Sequence, residues 1–206
     1  MSLITFKLHE VKIGYVRNQK CASTTILNYF SQLLFNESPE FVPYMQYFVD
    51  RNVSYLCRDE GYDCYSKQLA ECDIRIGAYR DPVEKFVSGY QHAMWSLPNS
   101  DNLWGATPER TLESFIDGFR GFKRHQQVSD HCRTNTWKLG ADRSVYTHVF
   151  DYKDTNTVMI PLLKEITGKD ILPTQLRVYG KKHEFTYSQL KKIKEFLAED
   201  YVNGWF

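Results

Sequence analysis

No run of about 18 apolar residues occurs in the 206-residue chain, so no membrane-spanning helix is expected. Neither sign of charge is in excess. With 26 Lys+Arg against 25 Asp+Glu the formal net charge is +1, which argues against a general nucleic-acid binder. No CxxC pair exists among the five cysteines, Cys21, Cys57, Cys64, Cys72 and Cys132. Their odd number points to free thiols in a reducing compartment, with a local Cys57–Cys64 or Cys64–Cys72 bridge as the alternative. Lys7 and His9 interrupt the stretch where a secretory signal needs an apolar core. A cytoplasmic location is therefore expected, although a soluble segment of a secretory-pathway protein would read the same way. Internal repeats, low-complexity tracts and Gly/Pro/Ser-rich linkers are also missing. The length fits one domain, residues 1–206, able to bury a core without metal or disulfide staples.

What is present is generous in aromatics: 14 Tyr, 13 Phe and 4 Trp, enough to fill a core or line a pocket for flat or sugar-like ligands. Apolar alternation predicts strands at Val11–Val16, Ile74–Tyr79 and Val145–Phe150. Helical spacing follows each of them. Ile26, Phe30, Leu33 and Leu34 recur after the first strand, and Val83, Phe86, Val87, Tyr90 and Met94 after the second. A helix through about Leu162–Ile166 ends at Gly168. Asp81-Pro82-Val83-Glu84 is a strong helix start, with Asp81 at the N-cap. Thr107-Pro108 predicts the cap of a helix burying Leu112, Phe115, Ile116 and Phe119. Thr186 and Gln189 form a capping box for a last helix that buries Leu190, Ile193, Phe196, Leu197 and Tyr201. Strands alternating with helices predict an α/β fold with a mainly parallel central sheet flanked by helices. Such sheets bind ligands beyond the carboxyl ends of their strands. Lys20 and Arg80 stand at those ends.

The first strand runs into Arg17-Asn18-Gln19-Lys20-Cys21-Ala22-Ser23-Thr24-Thr25 and then a helix. A helix N-terminus presents unpaired N–H groups and the positive end of its dipole, which favour a phosphate. From Val11 to Phe35 the charged residues are Lys12, Arg17 and Lys20, with no acid among them. The stretch is P-loop-like, a strand–loop–helix for phosphate, yet it is not GxxxxGK[ST]: the loop has no Gly, and Lys20 precedes Ser23 by three positions. The alternative is that the hydroxyls only cap the helix and Lys20 is solvated. After the second strand, Arg80 offers a guanidinium fork suited to two-point phosphate contact. Ser88, two turns past Asp81 and clear of the apolar stripe, is placed to assist. The alternative here is a surface pair between Arg80 and Asp81 or Glu84.

On these residues the chain resembles the sulfotransferases, in particular the carbohydrate sulfotransferase branch. Lys20-Cys21-Ala22-Ser23-Thr24-Thr25 resembles that family's 5′-phosphosulfate loop, PKxxST, with Gln19 where Pro is usual. Arg80-Asp81-Pro82-Val83-Glu84-Lys85-Phe86-Val87-Ser88-Gly89-Tyr90 resembles its 3′-phosphate motif. There Lys85 replaces the usual Arg, at a position expected to be exposed. His131-Cys132-Arg133-Thr134-Asn135 is similar to an HxxPQ element, with Thr and Asn for Pro and Gln. Lys181-Lys182-His183 and the helix after it are similar to the family's basic loop and closing helix.

The resemblance implies an enzyme whose donor is 3′-phosphoadenosine 5′-phosphosulfate (PAPS), with adenosine 3′,5′-bisphosphate (PAP) as the product nucleotide and no metal required. It implies that Lys20, Cys21, Ala22, Ser23, Thr24 and Thr25 hold the 5′ end, Arg80 and Ser88 the 3′-phosphate, and Lys181 or Lys182 the phosphates from above. Lys20 is the candidate for stabilising the leaving group. The acceptor class it implies is a hydroxyl-bearing small molecule or glycan. His131 is the candidate general base, with His92, His125, Asp50, Asp59 and Glu60 as further possibilities. A zinc site on His125, His131 and Cys132 lacks a fourth ligand at matching spacing.

Between positions 177 and 194, six basic residues face only Glu184. Of these, Lys191, Lys192 and Lys194 read as the wet face of the last helix. The Trp95–Trp104 loop is either an acceptor wall or core packing. Two rival functions remain beside the sulfotransferase. One is a nucleotide-dependent kinase, which the missing Gly-rich loop disfavours. The other is a non-catalytic module for phosphorylated or sulfated ligands.

Overall fold

The computed structural model describes residues 3–35, 54–56, 61–96, 111–123, 126–174 and 184–206. Among them the order is β1 (Leu3–Leu8), β2 (Val11–Val16), α1 (Ser23–Phe35), β3 (Ser54–Leu56), α2 (Ser66–Ala70), β4 (Ile74–Tyr79), α3 (Pro82–Ser96), α4 (Leu112–Phe122), α5 (Gln126–Cys132), α6 (Asn135–Leu139), β5 (His148–Asp151), α7 (Thr155–Thr167), α8 (Tyr187–Phe196) and α9 (Ala198–Val202). The chain divides into two compact units. Residues 1–79 and 137–177 form the first, and residues 80–136 and 178–206 the second.

The first unit is built on a five-stranded sheet of order β3-β1-β2-β4-β5. The expected parallel arrangement holds through β2, β4 and β5. β1 and β3 add antiparallel pairings, so the sheet is mixed. β1 and β3 are the strands that the sequence pattern did not reveal, and β1 pairs with both β2 and β3. β1 joins β2 through a two-residue turn with no Asn-Gly or Gly to announce it. His9 takes the left-handed conformation there, at φ 52°.

Alternation sends Ile13 and Tyr15 of β2 and Ile76 and Ala78 of β4 into one core. α1 covers them with Ile26, Leu27, Phe30 and Leu33, and α7 with Met159, Leu162 and Leu163. Phe30 meets Phe6 and Tyr15 edge-on, at ring-centroid distances of 4.8 and 5.6 Å. On the opposite face Gly77 leaves room for Tyr146, whose ring would lie 2.9 Å from a Cβ there.

Two expected boundaries shift. The last strand starts at His148 rather than Val145, because Asp142 accepts a hydrogen bond from the Ser144 N–H and winds Arg143–Val145 into a 3-10 turn. The following helix begins at Thr155, earlier than expected, and ends at Gly168 in the left-handed conformation as expected.

The second unit is helical. Phe86 and Tyr90 of α3 pack with Phe115, Ile116, Phe119 and Phe122 of α4, Val128 and Cys132 of α5, and Ile193 and Leu197 near the C-terminus. The expected Thr107-Pro108 cap lies outside the described residues. α4 is capped by Thr111, whose hydroxyl accepts the Ser114 N–H. The capping box of Thr186 and Gln189 is present, and the expected single last helix breaks at Leu197 into α8 and α9.

Gly89 sets how closely α3 and α5 approach. A Cβ at this position would lie 2.4 Å from Cys132 Sγ and 2.8 Å from the His131 carbonyl oxygen. Backbone cannot yield as a flexible side chain can, so Gly89→Ala is expected to destabilise the fold by about 1–3 kcal/mol. Urea unfolding followed by circular dichroism checks this; an unchanged midpoint would show that α5 moves freely away from α3.

Candidate functional site

The sequence-predicted 5′-phosphate residues sit at the turn from β2 into α1. Lys20 and Ala22, neither of them glycine, hold φ values of 65° and 56°. A left-handed residue with a Cβ costs ~1–2 kcal/mol, so surrounding contacts must enforce this backbone. Some of those contacts are plain. Asn18 is buried, and its Nδ2 donates to the Ala78 carbonyl at 3.1 Å, tying the loop to the carboxyl end of β4. Cys21 is fully buried between the two left-handed residues, and its N–H donates to the Asn18 carbonyl at 3.3 Å.

The first helical bond runs from Ile26 N–H to the Ala22 carbonyl. The N–H groups of Ser23, Thr24 and Thr25 therefore precede the helical ladder. The first turn of α1 carries no acid. Ser23 and Thr25 are buried and Thr24 is exposed. Two buried oxygens in this region, Gln19 Oε1 and Tyr15 Oη, make no hydrogen bond. Burial pushes the Tyr15 phenol far up, with the Arg17 charge opposing, so Tyr15 stays a neutral hydroxyl.

At the start of α3, Asp81 Oδ1 accepts the Glu84 N–H at 2.9 Å, which establishes Asp81 as the cap. Of the two roles open to Arg80, the pairing with Glu84 is realised: Nε donates to Glu84 Oε2 at 3.3 Å. The Arg80 side chain is 19% exposed and that of Glu84 42%. Ser88, one helical turn beyond Glu84, is buried. Lys85, expected at an exposed position, is instead only 2% exposed, and its Nζ donates to Asn135 Oδ1 at 3.4 Å. The periodicity of α3 concealed this, because a buried lysine breaks the apolar stripe.

His131 lies in the last turn of α5, its ring stacked on that of His92 at 3.9 Å and 30°. Three residues on, a polar cluster is sealed from water. Asn135 and Asp200 are both fully buried. Asp200 Oδ2 accepts the Asn135 N–H at 2.8 Å, and Oδ1 accepts the Thr136 N–H at 2.7 Å. The Thr134 hydroxyl hydrogen-bonds the Glu199 carboxylate. Burial raises the Asp200 carboxyl above its ordinary value, opposed by the Lys85 charge and by the two N–H donors.

The structure thus groups Lys20, Cys21, Ala22, Ser23, Thr24 and Thr25 in the first unit, and Arg80, Ser88 and His131 in the second. Lys181 and Lys182, together with His125, Asp50, Asp59, Glu60 and most of the Trp95–Trp104 loop, lie outside the described residues. Cys21, Cys64, Cys72 and Cys132 form no disulfide, and Cys57 lies outside the described residues. Among the described residues no group of three or more His, Cys, Asp or Glu is placed to hold a metal ion. No described helix is long and apolar enough to cross a membrane. No protein-family model, curated protein or solved structure matches the chain.

Because the folded protein holds the Asp200 proton more tightly than the unfolded chain does, ionising this group costs stability. Stability from this group is greatest below the ordinary carboxylate value and is lost as pH rises through the raised folded value. Asp200→Asn is expected to abolish that dependence just above roughly pH 4. It is also expected to cost about 3 kcal/mol, since one N–H loses its acceptor and Lys85 its counter-charge. Urea midpoints for both proteins across the acidic range test the prediction. An identical pH slope in the two proteins would contradict it.

Proposed function

We propose that the chain is a sulfotransferase that moves a sulfuryl group from PAPS to a hydroxyl acceptor, with a carbohydrate as the acceptor class. The observation that carries this reading is the β2–α1 turn. Lys20 and Ala22 are held left-handed without glycine, immediately before a helix N-terminus free of acids. Left-handed turns of this kind aim successive backbone N–H groups toward one point and make concave anion sites. The turn is P-loop-like in that sense. Its Lys20, the N–H groups from Ala22 to Thr25 and the hydroxyls of Ser23 and Thr24 suit a 5′-phosphosulfate.

Arg80 and Ser88 are assigned the 3′-phosphate, the group that distinguishes this donor from ATP. The Arg80 guanidinium is already oriented by Glu84. Lys181 is assigned a further phosphate contact on sequence grounds.

In the reaction the acceptor oxygen attacks sulfur and the bond from sulfur to the bridging phosphate oxygen breaks. The acceptor proton passes to a base, and PAP departs. Negative charge accumulates on the bridging oxygen, where the Lys20 ammonium and the helix N–H groups stabilise it. His131 is assigned the base, its ring steadied against His92. Neither role calls for a metal.

Titration calorimetry with PAP and with ATP tests the donor assignment. PAP is expected to bind the more tightly; tighter binding of ATP favours a kinase and overturns the reading. Transfer of labelled sulfate from PAPS to a panel of glycans tests the activity, and PAP binding without transfer to any acceptor favours a non-catalytic module. Lys20→Ala is expected to lower turnover about 10²–10³-fold. Full activity in that variant would remove Lys20 from the mechanism.

A further inference from the structure

The Asn135 side-chain amide is engaged through both its nitrogen and its oxygen. Nδ2 has two protons: one goes to the Arg80 carbonyl at 2.9 Å, the other to the Trp205 carbonyl at 3.5 Å. Oδ1 accepts from Lys85 Nζ at 3.4 Å, and the backbone N–H is held by Asp200. The side chain is fully buried, so none of these bonds is exchanged for water. A fully satisfied buried network has one geometry, because any rotation strands a polar group. Arg80, Trp205, Lys85 and Asp200 all belong to the second unit.

The partner that matters is Arg80. Its carbonyl precedes the Asp81 cap, so fixing that oxygen fixes the Cα from which the guanidinium leaves. At the other end Glu84 engages Nε at 3.3 Å. The arginine is thereby held by its backbone and by its head group, through two unrelated contacts. Lys85, the residue after Glu84 on α3, supplies the donor that orients the Asn135 amide, so the same helix turn is gripped twice.

We infer that Asn135 is a positioning residue that sets Arg80 for recognition of a phosphate on the ribose 3′ position. The inference rests on the sulfotransferase reading and adds a residue to it: the specificity for a 3′-phosphorylated nucleotide is built on a buried amide that never touches the ligand. Asp200 and Lys85 hold that amide in turn.

The readout is the ratio of affinities for PAP and adenosine 5′-monophosphate, which isolates the contribution of the 3′-phosphate. Calorimetry on the wild-type chain comes first. Equal affinities, or no binding, would overturn the donor reading itself. With a wild-type preference in hand, Asn135→Ala and Asn135→Asp are expected to lower the ratio about tenfold, the worth of one misaligned charge-assisted bond. Thr134→Val, which breaks the bond to Glu199, is expected to lower the melting temperature and keep the ratio. A folded Asn135 variant with the wild-type ratio would overturn the inference while leaving the donor reading intact. So would an equal loss of ratio in Thr134→Val. Should neither Asn135 variant fold, the wild type decides by NMR. The Asn135 side-chain amide resonances are expected to move on adding PAP and to stay in place with adenosine 5′-monophosphate; resonances indifferent to both would overturn the inference.

Discussion

The parallel pairing of β2 with β4 is the constraint from which the first unit is arranged. Its register, Ile13 with Ile74 through Val16 with Gly77, brings the carboxyl ends of both strands to one edge of the sheet. The loop Arg17–Ala22 leaves from that edge, and Asn18 reaches across to the Ala78 carbonyl. Without this pairing the loop would have no fixed partner against which to hold Lys20 and Ala22 in a conformation that their side chains disfavour. The core side of the same register places Ile13, Tyr15, Ile76 and Ala78 under α1 and α7. Burial and loop geometry therefore come from one hydrogen-bonded ladder.

The second unit solves a different problem. Its aromatic cluster would close around any set of well-packed rings, but a carboxylate, an ammonium and an amide are buried alongside it. Asp200, Lys85 and Asn135 satisfy one another and the N–H groups of Asn135 and Thr136. Burying such groups is rarely the most stable choice, since apolar replacements often match or exceed them. What they supply is a single register between α3, the Thr134–Thr136 segment and α9.

Much of this was legible in the residues, because local signals were unopposed. The Asp81 and Thr186 caps, the Gly168 stop and the strands at Val11–Val16 and Ile74–Tyr79 each follow from nearby chemistry. Strand β1 escaped because its turn relies on His9 rather than on glycine. Lys85 was read as exposed because a charge in a helix is normally wet, and its burial depends on Asn135, 50 positions away. No periodicity encodes such a pair. Asn135 and Asp200 were equally hidden: each is an ordinary polar residue until the chain folds around it. The loop residues could be named from order and type, but the left-handed backbone at Lys20 and Ala22 could not. Sequence patterns point to glycine for that geometry, and none stands there.

That missing glycine has a consequence for how the loop behaves before anything binds. A glycine at position 22 would relax the strain, but it would also open a wide range of backbone states in the native protein. An alanine confines the chain to far fewer states, so conformational freedom is surrendered once, during folding. The strained turn therefore works as stored order, kept in place by the stability of the sheet behind it.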